Sequence, residues 1–265
     1  MSIWTELTSS GQRSWYAITS SSDGSNLAVC EYGGNIYTSS DSGATWTARA
    51  RVLYWVGITS SSDGSKLAAC VYPGYIYTSS DSGETWIQRA ESRYWYGITS
   101  SSDGSKLAAY VYGGNIFTSS DSGATWIQRA DSRNWRGITS SSDGSKLAAC
   151  ANSGYIYTSS DSGATWIQRA ESRYWYGITS SSDGLRLAAT VYGGYIYSYK
   201  APYIINGKDI NDIFAPGSIT TATGFQVNGV DINTRFMKKT SDIGYNTGLK
   251  VNGVDLRSIF STYNG

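Results

Sequence analysis

Tyrosine, tryptophan and arginine residues recur as neighbours along the first 176 residues, most densely at Arg93-Tyr94-Trp95-Tyr96. Flat aromatic rings can stack on the apolar faces of sugars, while arginine and tyrosine donate hydrogen bonds to hydroxyl or acidic groups. This combination favours a carbohydrate-binding surface over a reactive centre. The residues that we expect to contact a ligand are Tyr54, Trp55, Arg93, Tyr94, Trp95, Tyr96, Arg133, Trp135, Arg173, Tyr174, Trp175 and Tyr176.

These segments belong to a repeat with a constant step of 40 residues. The sequence SSDSGATW at 39–46 returns at 119–126 and 159–166, and as SSDSGETW at 79–86. A second marker with the same step is the series Trp15, Trp55, Trp95, Trp135 and Trp175. A constant period of this length indicates a repeat architecture. Each unit has room for about four short strands, so the five units predict a β-propeller with one four-stranded blade per unit.

The recurring octapeptide resembles the Asp-box, or BNR repeat, of sialidase-like propellers, whose pattern is Ser-x-Asp-x-Gly-x-Thr-Trp. The resemblance implies the fold and a hairpin turn away from any active site, but no activity. The residues agree, because an aspartate can bond the backbone of its own turn and a glycine allows a positive φ. We therefore expect structural roles for Asp41, Asp81, Asp121 and Asp161. A calcium site is the less favoured alternative, since one carboxylate per turn makes a poor cage.

The two ends of the repeat region complement each other. Residues 2–8 read as a detached copy of the strand that follows the box, and the fifth unit, from Trp175, lacks that strand. We therefore expect the N-terminal strand to complete the fifth blade and close the ring, which removes open sheet edges. The fold class is all-β: a five-bladed β-propeller of 40-residue four-stranded blades over 1–200, with a small repeat region at 201–265. A β-solenoid is the alternative that this complementarity disfavours.

The strand order predicts two unlike faces. In the first unit we expect strands at 15–20, 26–32, 35–39 and 45–50, joined by Asp-Gly, Gly-Gly and box turns. Alternating directions place the first and third turns on one side, which is nearly identical in every unit. The other side carries the aromatic and arginine residues and differs between units. For example, the position of Tyr96 is occupied by Tyr16, Val56, Arg136 and Tyr176 in the other units.

The two tryptophan series have different expected environments. The series that begins at Trp46 follows the box turn, and we expect it to pack between blades. The series that begins at Trp15 opens the innermost strand at the aromatic face, so core packing and ligand stacking both stay open.

The cysteines Cys30, Cys70 and Cys150 occupy one repeat position. Equivalent positions on different blades are too far apart for disulfides, so we expect free thiols.

Catalysis is not expected. The family's reaction needs a single arginine triad, a Tyr/Glu pair and an acidic Asp, whereas arginines and acids here recur in register. Arg89, Glu91 and Arg93 therefore favour a solvated ion-pair belt. There is no histidine, no GxSxG and no phosphate-binding loop, so we expect no enzyme, no metal site and no cofactor.

A different repeat begins after residue 201. It contains Asn206-Gly207, Asn228-Gly229 and Asn252-Gly253, each between short apolar runs, with a phenylalanine downstream at Phe214, Phe236 or Phe260. Each copy reads as a short hairpin followed by one helical turn capped by Asp. Such small units bury little by themselves, so we expect 201–265 to dock or to form homo-oligomers. The pattern resembles repeats of large DNA viruses and aquatic microbes, which implies no defined activity.

The functional hypothesis is a non-enzymatic, multivalent, glycan-binding or adhesive protein. The alternatives are a structural or assembly protein of a virion, fibre or surface layer, and a sialidase-like hydrolase. A net charge of +1 predicts no nucleic-acid partner, and the lack of a long apolar run predicts no membrane insertion. The start of the sequence lacks a signal-peptide pattern, which predicts folding in a cytosol and leaves display on a virion or extracellular surface open.

Overall fold

The computed structural model describes residues 4–201, together with the backbone of six two-residue strands in 204–255. These residues belong to two compact units, Met1–Ala201 and Pro202–Gly265. The first unit consists of antiparallel strands, with one short 3-10 turn at Thr8–Ser10. No helix in this part of the chain has the length and apolarity needed to cross a bilayer.

The first unit contains five consecutive blades in which sequential strands pair with each other. The first two blades comprise β1 (Trp15–Ser20), β2 (Leu27–Gly34), β3 (Ile36–Ser39), β4 (Thr47–Ala48), β5 (Leu53–Ser60), β6 (Leu67–Val71), β7 (Gly74–Ser79) and β8 (Ile87–Arg93). The next two comprise β9 (Trp95–Ser100), β10 (Leu107–Val111), β11 (Ile116–Ser119), β12 (Ile127–Gln128), β13 (Trp135–Ser140), β14 (Leu147–Ala151), β15 (Gly154–Ser159) and β16 (Ile167–Arg173). The fifth comprises β17 (Trp175–Ser180), β18 (Arg186–Val191) and β19 (Ile196–Lys200). The predicted all-β fold of repeated blades is therefore confirmed.

An irregularity recurs in the innermost strand of every blade. In the third blade, Tyr110 pairs with Gly97 and Val111 with Trp95, so Tyr96 is an extra residue without a partner. The same register shift occurs in the other four blades. A β-bulge of this kind redirects side chains locally. It lets the tryptophan before the bulge enter the core, while the bulged residue projects toward the neighbouring blades.

The hydrophobic core lies at the junctions between blades. At the first junction, Cys30 and Ile36 of one blade pack with Trp55, Leu67 and Tyr77 of the next. Equivalent clusters fill the other three junctions. Each blade therefore depends on its neighbour to remove its apolar face from water, as expected for a repeat protein.

The structure resolves the question left open for the tryptophans. Trp55, Trp95, Trp135 and Trp175 are among the most deeply buried side chains of the described residues. The series after the box turn is only half-buried, and Trp86 packs against the ring of Trp55 at a centroid distance of 6.1 Å. Both series thus contribute to the core, but the series beginning at Trp15 supplies its centre.

The predicted closing strand is not observed. Residues 4–7 form no strand, Trp4 is fully exposed, and β19 pairs with β18 alone. Residues 2 and 3 of the predicted strand lie outside the described residues. Leu7 nevertheless lies close to the box glycine Gly43, and at the next junction Thr38 and Arg49 of the preceding blade lie close to Gly83 in the same way. The N-terminal segment therefore lies where a preceding blade would contact the first blade.

The faces of the first and fifth blades that look away from their neighbours are uncovered. Ile18 on β1 is 65% exposed, whereas its counterpart Ile58 on β5 is 7% exposed. Gly57 meets Ile98 of the following blade, but Gly177 meets only Thr190 of its own blade. Within residues 4–201, two halves of the junction that forms four times internally are therefore left unpaired.

The described residues of the second unit form three pairs of strands. Their strands are β20 (Ile204–Ile205), β21 (Lys208–Asp209), β22 (Gln226–Val227), β23 (Val230–Asp231), β24 (Lys250–Val251) and β25 (Val254–Asp255). Each pair is antiparallel and encloses one of the Asn-Gly dipeptides. The paired strands lie on either side of the dipeptides from which hairpins were predicted, whereas the dipeptides themselves lie outside the described residues. The predicted helical turns and their phenylalanines lie outside the described residues.

Candidate functional site

A continuous set of tyrosine rings spans the blades at the face of the interblade connections. We name it the tyrosine cluster, and it consists of Tyr16, Tyr32, Tyr54, Tyr72, Tyr94, Tyr96, Tyr110, Tyr112, Tyr176 and Tyr192, together with Arg136. Every member touches at least one other member through a ring contact, a hydroxyl contact or an arginine–ring contact. The cluster therefore unites side chains from all five blades.

The centre of the cluster is formed by bulged residues of the innermost strands. Tyr16 donates a hydrogen bond to the hydroxyl of Tyr96 at 3.1 Å, although 80 residues separate them in sequence. Tyr96 in turn packs against Tyr72 and Tyr112, each at a centroid distance of 5.7 Å. Burial, followed by the hydrogen bond to Tyr96, raises the pKa of Tyr16. Its hydroxyl therefore stays protonated and able to donate at neutral pH.

The tyrosines at the edge of the cluster are open to solvent. Tyr94 is 56% exposed and Tyr192 is 76% exposed, and Tyr32, Tyr54 and Tyr112 are also exposed. Isolated surface apolar side chains need no explanation, but a contiguous aromatic surface is typical of an interaction site. The rings combine an apolar face with a hydroxyl, which suits a ligand that has both apolar and polar surfaces.

Arg136 is the cation of the cluster. Its guanidinium lies over the rings of Tyr96 and Tyr176, with centroid distances of 5.7 and 5.2 Å. Cation–π contacts of this kind hold the side chain in place without neutralising its charge. No ion pair involves Arg136 among residues 4–201. Its charge is therefore free to meet an acidic or polar group of a ligand.

The fourth blade interrupts the aromatic surface with polar residues. Asn134, Arg136 and Asn152 occupy positions that are Tyr94, Tyr96 and Tyr112 in the third blade. Asn134 is exposed, and its amide oxygen lies near the turn at Gly113 of the third blade. The surface thus combines a broad aromatic platform with one sector of hydrogen-bonding groups, an arrangement that could orient a ligand.

The predicted tryptophan contacts are wrong. Trp55, Trp95, Trp135 and Trp175 are at most 1% exposed and cannot stack on a ligand. Three of the four indole nitrogens donate to a backbone carbonyl four residues earlier, for example that of Trp95 to Glu91 at 3.0 Å. The cause is the bulge, because it sends the tryptophan and the residue after it to different environments.

Each predicted arginine is held between an acid two residues earlier and an aromatic ring of the following blade. Arg93 pairs with Glu91 at 2.6 Å and lies over the ring of Phe117 at 4.7 Å. Arg133 and Arg173 make equivalent contacts with Asp131 and Glu171, and with aromatic rings. This ion-pair belt is the alternative reading that the sequence also supported. Such exposed pairs contribute about 0–1 kcal/mol each, so they position side chains more than they stabilise the fold.

The remaining predicted residues are the tyrosines, and they lie where a ligand could reach them. Tyr54, Tyr94, Tyr96 and Tyr176 belong to the tyrosine cluster, and Tyr174 is exposed beside it, with its carbonyl accepting the backbone N–H of Tyr192. The members of the cluster that were absent from the predicted set are Tyr16, Tyr32, Tyr72, Tyr110, Tyr112, Tyr192 and Arg136. For four of them the usable signal was the second turn of each unit, which begins with Tyr in the first, second, third and fifth units and with Asn152 in the fourth.

The box turns have the hydrogen bonds expected from their residue types. Asp41 accepts from the backbone N–H of Thr45 at 2.9 Å, from its hydroxyl at 2.6 Å, and from the hydroxyl of Ser39 at 2.7 Å. Ser42 and Gly43 both have positive φ. These hydrogen bonds, led by that from the Thr45 hydroxyl, lower the pKa of Asp41 to about 2. The carboxylate is fully used within its own turn, as predicted for a structural role.

Comparisons with known proteins support the fold. No protein-family model matches the sequence, and no curated protein matches it. The resemblance to Asp-box propellers therefore stays a prediction.

Three solved structures illustrate the similarity in fold. YCF48 bound to D1 peptide is 18% identical over 70% of this chain and 63% of its own, with a TM-score of 0.54. The GH74 enzyme of Niastella koreensis is 20% identical over 69% of this chain and 29% of its own, with a TM-score of 0.53. The Swd1 β-propeller domain of Myceliophteria thermophila is 11% identical over 73% and 67%, with a TM-score of 0.60. Such identities establish the β-propeller fold alone.

Proposed function

We propose that this chain is a non-enzymatic, multivalent glycan-binding protein that uses the tyrosine cluster. The observation that carries the proposal is the continuous aromatic surface, open to solvent at its edge and bordered by Arg136. Tyrosine rings supply flat apolar area at a low entropic cost, and their hydroxyls bond to polar groups. Sugars present the matching combination of an apolar ring face and equatorial hydroxyls.

The distribution of the tyrosines supports a binding mode with several modest contacts rather than one deep pocket. Exposed rings lie on the first, second, third and fifth blades. Several weak sites on one rigid surface reach a high avidity on a glycan-coated surface. The acidic groups beside this face, Glu91, Asp131 and Glu171, are each engaged by an arginine. This engagement favours binding over the paired-carboxylate chemistry of a glycoside hydrolase.

A glycan array probed with the full chain tests the proposal. We expect binding that drops about tenfold in the variants Tyr112→Ala and Arg136→Gln, since an interface contact of central importance contributes about 1–2 kcal/mol. Tyr195→Ala is the matched control, because Tyr195 is 80% exposed and lies outside the cluster. Equal loss in the control, or no bound glycan on the array, would contradict the proposal. An immobilised peptide library run in parallel tests a protein ligand instead.

A second candidate function, assembly into a larger structure, is favoured by the uncovered faces of the first and fifth blades. These faces repeat the two halves of an interface that the chain forms internally, with Ile18 on one side and Gly177 on the other. Sedimentation of the full chain over a range of concentrations measures this property. Concentration-dependent oligomers that Ile18→Asp abolishes would support assembly. A monomer at every concentration would exclude assembly through these faces.

A further inference from the structure

Four equivalent cavities lie between successive blades, on the side of the box turns. Their volumes, from the first junction to the fourth, are ≈ 80, 90, 60 and 160 Å³. A cavity needs about 10–15 Å³ to hold one water molecule, so each has room for a group several waters in size. We name them the junction cavities. They lie among residues that are nearly identical from unit to unit and that the tyrosine cluster does not use.

Each junction cavity is lined by an arginine that forms no ion pair with another of residues 4–201. The arginines are Arg49, Arg89, Arg129 and Arg169, one per cavity. A lysine joins the arginine in three cavities (Lys66, Lys106 and Lys146), and Asn26 takes its place in the first. No Asp or Glu is among the lining residues, and none of these cations forms an ion pair within the described part of the chain.

The arginines are positioned by a recurring hydrogen bond. Arg129 donates from Nε to the hydroxyl of Thr118 at 3.0 Å, and the other three arginines bond equivalent threonines. This bond anchors the guanidinium through one nitrogen and leaves its two terminal amino groups outside the bond. Those groups form the fork that matches the oxygens of a carboxylate, sulfate or phosphate.

The side chain of each lysine lies against a turn glycine of the following blade. Lys66 donates from Nζ to the carbonyl oxygen of Asp103 at 2.8 Å, which leaves two of its three donors for other partners. Its charge is one of the smaller contributions that lower the pKa of Asp103, so this carboxylate is the nearest competitor for a ligand. Hydroxyls of serine and threonine complete the lining, including Ser119 and Thr125 in the third cavity.

We propose that the junction cavities bind the oxyanion groups of an acidic polysaccharide, with one sulfate or carboxylate in each cavity. Partly exposed cations that form no ion pair within residues 4–201 favour an anion, and the surrounding hydroxyls suit a ligand that carries its own hydroxyls. Four like sites in register suit a polymer with regularly spaced charges, because linked contacts raise avidity. The net charge of only +1 argues that the attraction is local to these cavities. This inference is independent of the glycan proposed for the tyrosine cluster.

Binding of the full chain to dextran sulfate, with neutral dextran as reference, tests the inference. We expect the double variant Lys106→Gln/Arg129→Gln to weaken binding about tenfold, since a charge-assisted hydrogen bond contributes this much or more. The matched control is Arg93→Gln/Arg133→Gln, which removes the same charge from the ion-pair belt and should change binding little. Thermal unfolding of both variants confirms that each is folded under the assay conditions.

A variant that adds a cation keeps the test independent of any loss of stability. Asn26→Lys introduces into the first cavity the lysine that the other three contain, so we expect affinity to rise by several-fold. Equal weakening by the control pair, or equal binding of neutral dextran, would overturn the inference. Inorganic sulfate serves as a competitor at the same concentration of sulfate groups as the polymer. If it displaces dextran sulfate, the cavities bind free ions, and the inference that the ligand is a polysaccharide would be overturned. Tyr195→Ala, at a residue outside both the cavities and the tyrosine cluster, should leave this binding unchanged.

Discussion

The hydroxyl of Tyr110 crosses the junction between the third and fourth blades and donates a hydrogen bond of 2.8 Å to the carbonyl oxygen of Arg136. Cys30, Cys70 and Cys150 occupy this repeat position in three of the other blades. The tyrosine ring reaches across because Gly97, opposite it on β9, has no side chain. Tyr110, which is larger than the cysteines at the equivalent positions, thus links the core of the third blade to the backbone of Arg136, the cation of the tyrosine cluster.

The variant Gly97→Ala should destabilise the protein. A Cβ at this position would overlap the ring of Tyr110, and overpacking of this kind lowers the free energy of unfolding by about 1–3 kcal/mol. Gly177→Ala is the matched control, since its Cβ would approach only the hydroxyl of Thr190, at 3.3 Å. We expect it to change stability by less than about 0.5 kcal/mol. Urea unfolding of both variants measures the difference, and equal effects would refute the explanation.

The variants Trp95→Ala and Tyr94→Ala should separate stability from binding. Trp95 is buried, so its removal should lower the free energy of unfolding by about 3–5 kcal/mol. Tyr94 is exposed, so its removal should change stability by less than about 0.5 kcal/mol and weaken glycan binding instead. Chemical denaturation and the glycan array measure the two effects. A stable Trp95→Ala protein with impaired binding would reverse our assignment of these neighbours.

Stability should fall on acidification between about pH 4 and pH 2. Hydrogen bonds from serine and threonine hydroxyls, together with backbone N–H groups, lower the pKa of Asp23, Asp41, Asp63, Asp81, Asp121 and Asp161 to about 2. Since the pKa is lower in the folded state, these carboxylates stabilise the fold above the unfolded-state pKa of about 4. That contribution is lost as pH falls through the folded-state pKa.

Unfolding by urea at a series of pH values measures this effect. The variant Asp81→Asn removes one of the titrating groups, so its stability should depend less steeply on pH between about 4 and 2 than that of the parent protein. Asp131→Asn is the control, because Asp131 is an exposed acid of the ion-pair belt outside the turns. A parent protein whose stability is constant across this range would contradict the role given to the turn carboxylates.

The three thiols should be unreactive in the folded protein. Cys30, Cys70 and Cys150 are free and fully buried. Burial raises the pKa of Cys30 to about 11 and that of Cys150 to about 12. Because the thiolate is the reactive form, labelling by an aromatic disulfide reagent at pH 8 should be negligible until urea unfolds the chain. Rapid labelling of any of the three without denaturant would show that a blade junction opens in the native state.

The local features of the fold could be predicted from the sequence because their determinants lie close together in it. The bonds of Asp41 reach no further than Thr45, four residues away, so the octapeptide contains the whole turn. The Asn-Gly hairpins of the second unit are similarly self-contained. The constant step of 40 residues then determines the number of blades, since each copy of the same local pattern folds in the same way.

The candidate site could not be predicted to the same extent, because its members meet only in the tertiary structure. The register of β9 against β10 creates the bulge that buries Trp95 and turns Tyr96 toward the other blades. Neighbours in sequence thereby receive opposite roles, although their residue types suit the same ligand. The prediction that the N-terminal strand completes the fifth blade depended on contacts between the two ends of the repeat region. The structure instead places Leu7 close to Gly43 of the first blade.

The sequence by itself determined the repeat, the turns and the aromatic composition of one face, since each follows from residue types within a few positions of one another. Tertiary structure alone decided which aromatic rings are core and which are surface. It also decided that Tyr16 and Tyr96 meet across 80 residues and that Arg136 lies over two rings and forms no ion pair within residues 4–201. The physical reason is that burial belongs to the packing of one blade on the next, and a single unit does not contain that information.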